Sequence, residues 1–275
     1  MAQIKIIKGT FHVKGYQPDG DSIRFKADRD SNWTFFPGAD AEKKKQLRIE
    51  AIDALETHYN GYHQPMPFAI AALEKLLSLL GITNVKYSLS VTTIVAANDG
   101  KPGFIASTGM DNYKRPISFL FPANAPLTDG AVIDISQLPL EQSINYLLLR
   151  EGLVYPTFYT TTELSVVDKF RIATQRARIG GRGLWAIDRT PDFTIWDTRT
   201  IQDEVLILPK LFRRLVGFFD RYQDFAELSG YMVKQQDSLQ LVDDPKPRSL
   251  ASLMSIRGRR LKLKTPVEDI LFSPK

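Results

Sequence analysis

The chain has 275 residues, of which 43% are hydrophobic and 24% are charged, a composition typical of a soluble globular protein with one or two domains. It has no cysteine, which excludes disulfide bonds, thiolate catalysis and cysteine-ligated zinc. The net charge of +5 mildly favours a polyanionic partner, although a basic surface of this size is equally ordinary in proteins that bind no nucleic acid.

The sequence predicts no membrane partner, because no run reaches the roughly 18 apolar residues of a membrane span. Residues 1–13 alternate between apolar and polar side chains, as a strand does, and lack the apolar core of a signal peptide. We therefore expect a cytoplasmic protein if Met1 is the natural start, and a secreted protein if an export signal has been removed.

Alternating apolar residues in the first half of the chain predict a small antiparallel barrel. Apolar residues at helical spacing predict one helix within it, over residues 64–80, and Gly81 ends that helix. A helix inserted after the third strand favours an OB-type barrel. The other predicted elements of this half are a loop over 28–46 and strands over 4–16, 22–27, 47–53, 85–95, 104–107 and 117–121.

Two further helices are predicted over residues 140–153 and 162–179, and the character of the sequence changes after Trp185. The predicted fold class is α+β, with a five-stranded OB-type barrel and three helices in residues 1–187 and a C-terminal α/β extension of unknown role in residues 188–275. The predicted elements of the extension are a helix over 205–229, a loop over 242–249 and strands over 252–256, 259–264 and 268–274.

Charged residues gather at two places in this pattern. Asp19 and Asp21 flank a glycine turn after the first strand. Arg48, Asp53 and Glu56 lie on or just after the third strand. Carboxylates and backbone carbonyls are ligands that calcium prefers, an arginine binds phosphate through its planar fork, and a glutamate can accept a proton from water. The set therefore fits a metal site beside a phosphate, and taken alone it also fits a charged turn and strand end.

Five stretches of the sequence resemble the staphylococcal-nuclease-like (thermonuclease) family. They are residues 19–22 (DGDS), 47–56 (LRIEAIDALE), 111–115 (DNYKR), 149–155 (LREGLVY) and 177–185 (ARIGGRGLW). Each stretch is short, but together they follow the family order at compatible spacing over roughly residues 4–187. The sequence departs from the family pattern at Leu55, where a proline is usual, and at Pro116, where a glycine is usual.

This resemblance implies a calcium-dependent nuclease that hydrolyses the phosphodiester bonds of DNA and RNA and leaves 3′-phosphate ends. The alternative is a catalytically inactive OB module that binds nucleic acid or protein. The roles implied for single residues are calcium ligation by Asp21, Asp53 and the Ala54 carbonyl with Asp19 beside them, catalysis by Arg48, Glu56 and Arg115, and substrate binding by Tyr113, Tyr155 and Tyr159.

The C-terminal extension carries a basic cluster, which consists of Arg257, Arg259, Arg260, Lys262 and Lys264. These residues alternate with two leucines, a pattern that fits either the solvent-facing side of a strand or a nucleic-acid contact. We therefore expect the extension either to pack on the barrel or to help hold the substrate.

Overall fold

The computed structural model describes residues 2–36, 44–89 and 92–274. No helix within these ranges is long and apolar enough to cross a membrane. The helices are α1 (Met66–Leu79), α2 (Ile144–Arg150), α3 (Leu164–Ile179), α4 (Pro209–Phe219) and α5 (Leu228–Lys234). The strands are β1 (Gln3–His12), β2 (Ser22–Ala27), β3 (Lys45–Ile49), β4 (Ile52–Asp53), β5 (Lys86–Tyr87), β6 (Ile94–Ala96), β7 (Lys101–Met110), β8 (Pro116–Pro122), β9 (Val132–Asp134), β10 (Tyr155–Pro156), β11 (Phe158–Tyr159), β12 (Phe193–Thr194), β13 (Ser238–Leu241), β14 (Asp244–Ser249), β15 (Met254–Arg257), β16 (Arg260–Leu263) and β17 (Ile270–Phe272).

The chain packs as two compact units. The barrel unit consists of Met1–Glu50 and Ala71–Leu148, and the second unit consists of Ala51–Ile70 and Leu149–Lys275. The chain therefore leaves the barrel unit once, returns to it within α1, and leaves it again within α2. The domain division predicted at residues 187 and 188 does not coincide with any of these bounds.

Five strands of the barrel unit form a closed barrel. They run in the order β2-β3-β8-β7-β1, and β1 pairs back to β2. Neighbouring strands are antiparallel except β3 and β8, which are parallel. Because α1 separates β3 from β7 along the chain, the arrangement is consistent with an OB-type barrel. The predicted α+β class and five-stranded barrel are confirmed.

Apolar side chains from alternating positions of these strands form the barrel core. Phe11, Phe25 and Leu47 are fully buried, and the rings of the register partners Phe11 and Phe25 lie 5.0 Å apart. Strand β1 also needs Gly9 for this packing, because a Cβ atom at that position would lie 2.1 Å from the Lys26 carbonyl oxygen. The barrel therefore closes tightly where β1 meets β2.

The second unit is built around α4. Residues Leu211, Phe212 and Leu215 of this helix are fully buried in the same apolar cluster as Phe193 and Leu261. Two small sheets complete the unit, in the orders β11-β17-β13-β14 and β12-β16-β15, and β4 pairs with β10. Strands β15, β16 and β17 overlap the three C-terminal strands predicted from the sequence.

The strand predicted over residues 47–53 is wrong as a continuous element. Strand β3 ends at Ile49, and β4 begins at Ile52. Between them Ala51 has a φ of 66°, a left-handed conformation that breaks a strand and is uncommon for residues other than glycine. The break coincides with the bound between the two units after Glu50.

Two other predicted elements are also interrupted. The single strand predicted over residues 85–95 is instead the antiparallel pair β5 and β6, and its residues 90–91 lie outside the described residues. The single helix predicted over residues 205–229 ends at Phe219, and α5 begins only at Leu228. Before α5, the Asp224 side chain accepts a hydrogen bond from the Ala226 N–H at 2.9 Å, which starts a separate short helical turn.

The two predicted loops contain regular structure. The loop over residues 242–249 contains β14, whose two prolines are compatible with a strand because β14 lies at the edge of its sheet. The loop over residues 28–46 contains a 3₁₀ helix at Asp30–Phe35, and its residues 37–43 lie outside the described residues.

Candidate functional site

The turn between β1 and β2 carries Asp19 and Asp21. The Asp19 carbonyl accepts a hydrogen bond from the Ser22 N–H at 3.3 Å, and the Asp21 carbonyl accepts one from the Ile49 N–H at 3.1 Å. The turn is therefore fixed to the end of β3, the strand that carries Arg48.

The strand register brings three of the predicted site residues to one end of the barrel. Ser22 is the register partner of Arg48, and Arg48 is the register partner of Ile117. Asp21 directly precedes β2, and Arg115 directly precedes β8. Because β2, β3 and β8 are neighbours in that order, the Asp21 turn, Arg48 and the Arg115 loop lie side by side. We call this end of the barrel the rim.

The loop between β7 and β8 holds an aromatic ring beside a guanidinium. One oxygen of Asp111 accepts hydrogen bonds from the N–H groups of Tyr113 and Arg115, each at 2.9 Å. The other accepts from Nε and Nη2 of Arg115, each at 2.7 Å. The Tyr113 side chain is 82% exposed, and the Arg115 guanidinium carbon lies 5.5 Å from its ring centre. Asp111 thus organises the loop, a role that the sequence did not assign to it.

The remaining predicted charged residues belong to the second unit. Asp53 lies on β4 opposite Tyr155 of β10, and Ala54 follows it as a buried residue. Glu56 is held by its backbone: its carbonyl accepts from the Gln64 N–H at 2.8 Å, and its own N–H donates to the Gln64 side chain at 3.3 Å. The backbone therefore fixes where both carboxylates project.

Both carboxylates bind Arg213 of α4, a residue that the sequence did not indicate. Arg213 Nη1 donates to Asp53 Oδ1 at 3.2 Å and to Glu56 Oε1 at 2.5 Å, and Nη2 donates to Asp53 Oδ2 at 2.8 Å. The Asp53 and Glu56 side chains are only 7% and 13% exposed. Burial alone would lower the pKa of Arg213, but the two carboxylates outweigh burial and raise this pKa above its usual range.

The arrangement of Asp53 and Glu56 does not fit the calcium ion that the family resemblance implies. Calcium binds carboxylate oxygens, but both oxygens of Asp53 accept hydrogen bonds from Arg213. An arginine keeps its positive charge at any ordinary pH, so it repels a second cation at the same oxygens. The ligand roles predicted for Asp53 and Ala54 therefore stay predictions.

The three predicted substrate-binding tyrosines have different surroundings. Tyr113 is exposed, Tyr159 is partly buried on β11, and Tyr155 is fully buried. The Tyr155 hydroxyl donates to Asp188 at 2.6 Å, and burial, reinforced by Asp188, raises the pKa of this hydroxyl. Its ring packs against Trp185 in the core, so Tyr155 presents no exposed ring on which a base could stack.

The basic cluster of the second unit divides into two parts. Arg260 and Lys262 both bind the Asp192 carboxylate, at 2.6 Å and 2.7 Å. The Arg259 guanidinium instead lies 5.2 Å from the ring centre of Trp196, whose side chain is 63% exposed. Two of the basic residues thus have an acidic partner on the protein itself.

No protein-family model matches the chain, and no curated protein is detectably similar to it in sequence. The resemblance to the staphylococcal-nuclease-like family therefore rests on the five quoted stretches alone.

Proposed function

We propose that the chain binds single-stranded nucleic acid at the rim of its barrel. The observation that carries this proposal is the strand register that sets Arg48 between the Asp21 turn and the Arg115 loop. Two arginines at one rim provide planar forks for the phosphate groups of a polynucleotide. In OB-type barrels the loops that correspond to β1–β2 and β7–β8 bind oligonucleotides.

The exposed ring of Tyr113 supports a single strand as the ligand. An aromatic side chain stacks on an unpaired base whatever the sequence, and a neighbouring arginine binds the backbone. The bases of a duplex are already stacked on one another, so the ring is of little use to a duplex. We therefore expect similar affinity for single-stranded DNA and RNA, and weaker affinity for a duplex of equal length.

Anisotropy of a fluorescent oligonucleotide tests this proposal. Tyr113→Ala should weaken binding by about tenfold, since stacking on an aromatic residue contributes ~1–3 kcal/mol per base. Tyr113→Phe is the matched control, because it keeps the ring and removes only the hydroxyl, and it should bind like the wild type. Equal binding by the alanine variant and the wild type would rule out Tyr113 as a stacking platform.

The second candidate is the calcium-dependent nuclease that the family resemblance implies. The specific observation in its favour is that Asp21, Arg48 and Arg115 lie at one rim, as residues of a common site would. The observation against it is the Arg213 guanidinium on Asp53 and Glu56. We therefore rank it below nucleic-acid binding without cleavage.

A cleavage assay separates the two candidates. Plasmid DNA and a structured RNA are incubated with the wild type in calcium chloride or in EGTA, beside an Arg48→Ala variant. Binding without cleavage in both buffers supports the first candidate. Cleavage that requires calcium and that Arg48→Ala abolishes establishes the nuclease.

A further inference from the structure

We infer that Arg213 is a built-in cation for Asp53 and Glu56, and that these carboxylates do not take up calcium in the wild-type protein. The guanidinium engages both oxygens of Asp53 and one oxygen of Glu56. It thereby provides the positive charge that the family resemblance would assign to a calcium ion. The inference concerns the second unit and does not depend on nucleic-acid binding.

The position of Arg213 is fixed by the helix that carries it. Helix α4 starts with Pro209 at its first turn, where a proline is compatible with a helix. The neighbouring residues Leu211, Phe212 and Leu215 are fully buried, so the helix cannot rotate without exposing them. Arg213 is therefore held in place by the packing of α4 as well as by its ion pairs.

The arrangement differs from that of an ordinary surface ion pair. Arg213 is separated from Asp53 and Glu56 by 160 and 157 positions along the chain, and the three side chains meet only in the folded protein. The guanidinium cannot leave by losing its proton, because arginine stays charged. A calcium ion would therefore have to displace a charged side chain from a packed helix in order to bind here.

Arg214 provides a matched control for Arg213. It follows Arg213 on α4 and binds both oxygens of Asp237, at 2.6 Å from Nε and 2.5 Å from Nη2. The Asp237 side chain is 2% exposed, so this pair is at least as buried as the Arg213 pair. The Arg214 pair contains only one carboxylate, however, and a single carboxylate is a poor calcium site.

Thermal unfolding of the full chain tests the inference, with wild type, Arg213→Gln and Arg214→Gln each measured in calcium chloride and in EGTA at equal ionic strength. We expect the wild-type Tm to be the same in both buffers. Each variant should lose roughly 10 °C, because it removes an arginine that binds a buried carboxylate. Calcium should restore several degrees to Arg213→Gln, whose two carboxylates have lost the guanidinium that repels a second cation, and nothing to Arg214→Gln.

Two results would overturn the inference. One is an Arg213→Gln variant that calcium stabilises no more than it stabilises Arg214→Gln. The other is calcium binding by the wild type in isothermal titration calorimetry that Asp53→Asn abolishes. The calorimetric measurement needs only the wild type and one carboxylate variant, so it decides the matter even if Arg213→Gln does not fold.

Discussion

Two arginines of this molecule, one in each unit, are paired with carboxylates in contrasting ways. Arg115 of the barrel unit binds Asp111, four positions away in the same loop, and this carboxylate also accepts two backbone N–H groups. Arg213 of the second unit binds two carboxylates that are distant along the chain. Loss of Arg115 leaves one Asp111 oxygen with its two backbone partners, so the loop keeps its shape, whereas loss of Arg213 removes the cation that two carboxylates share. On the proposed function the first arginine serves binding, and the second serves folding.

The largest expected effect is on stability, when a carboxylate is removed from each pair. Asp53→Asn should lower the free energy of unfolding by ~3–5 kcal/mol, because it removes the buried carboxylate that binds Arg213 through both oxygens. Asp111→Asn should lower it by less, because an asparagine oxygen still accepts the two backbone N–H groups. Urea unfolding of both variants gives the comparison, and equal losses would show that the two ion pairs are equivalent.

The next effect is on binding at the rim. Arg115→Gln should weaken the affinity for single-stranded DNA about tenfold and reduce the salt dependence of binding by about one phosphate contact. Its stability should fall less than that of Arg213→Gln, since one Asp111 oxygen keeps its two backbone partners. Lys86→Gln makes the same change in net charge at an exposed residue of β5, outside the barrel sheet. If both variants weaken binding equally, only net charge matters and the rim has no special role.

A smaller effect concerns pH and Lys210, which lies one turn before Arg213 on α4. The pKa of Lys210 falls from 10.5 to about 8, chiefly because the side chain is buried. The charges of Arg213 and Arg214 lower this pKa further, and those of Asp237 and Asp53 raise it by less than the total lowering. The folded state thus loses this proton at a lower pH than the unfolded state does. The free energy of unfolding should therefore rise between about pH 8 and pH 10.5. Below pH 8 both states carry the proton, and the folded state has the full cost of burying the charged Lys210.

Lys210→Met tests this expectation, because methionine keeps an apolar chain of similar length and carries no charge. The difference in unfolding free energy between this variant and the wild type should favour the variant at pH 7 and shrink by pH 9.5. A difference that does not vary with pH would show that Lys210 has an ordinary pKa in the folded protein.

The smallest effect is expected in the basic cluster. Arg260→Gln combined with Lys262→Gln should change the affinity for single-stranded DNA by less than about twofold, because both side chains already bind Asp192. Arg259→Gln should weaken binding more if the extension helps to hold the nucleic acid, because Arg259 lies beside the exposed Trp196. If the double variant loses more affinity than Arg259→Gln does, Arg260 and Lys262 of β16 contact the nucleic acid instead.

The barrel was predictable from the sequence because its signal is local. Residues such as Ile23 and Phe25 alternate with polar neighbours, and a period of two predicts a strand whatever the rest of the chain does. The break at Ala51 was not predictable, because nothing in an alanine side chain indicates a φ of 66°. The surrounding structure imposes that conformation.

The candidate site was predictable only in part. Asp21 and Arg48 were singled out by their charge and their place at a turn and a strand, Arg115 only by the resemblance to a family, and the strand register brings the three together. Arg213 was hidden among the 36 lysines and arginines of the chain, because its partners lie more than half the chain away. The one available signal was a charged residue among the apolar residues of α4. A charged residue in such a pattern also fits the solvent-facing side of a helix, so the signal did not single out Arg213.

Binding of a labelled single-stranded oligonucleotide in EGTA, by the wild type and by Tyr113→Ala, tests the central claim most directly. We predict that the wild type binds equally well in EGTA and in calcium chloride, and that the alanine variant binds about tenfold more weakly in both. Wild-type binding that appears only with calcium, or an alanine variant that binds like the wild type, would contradict metal-independent binding at the barrel rim.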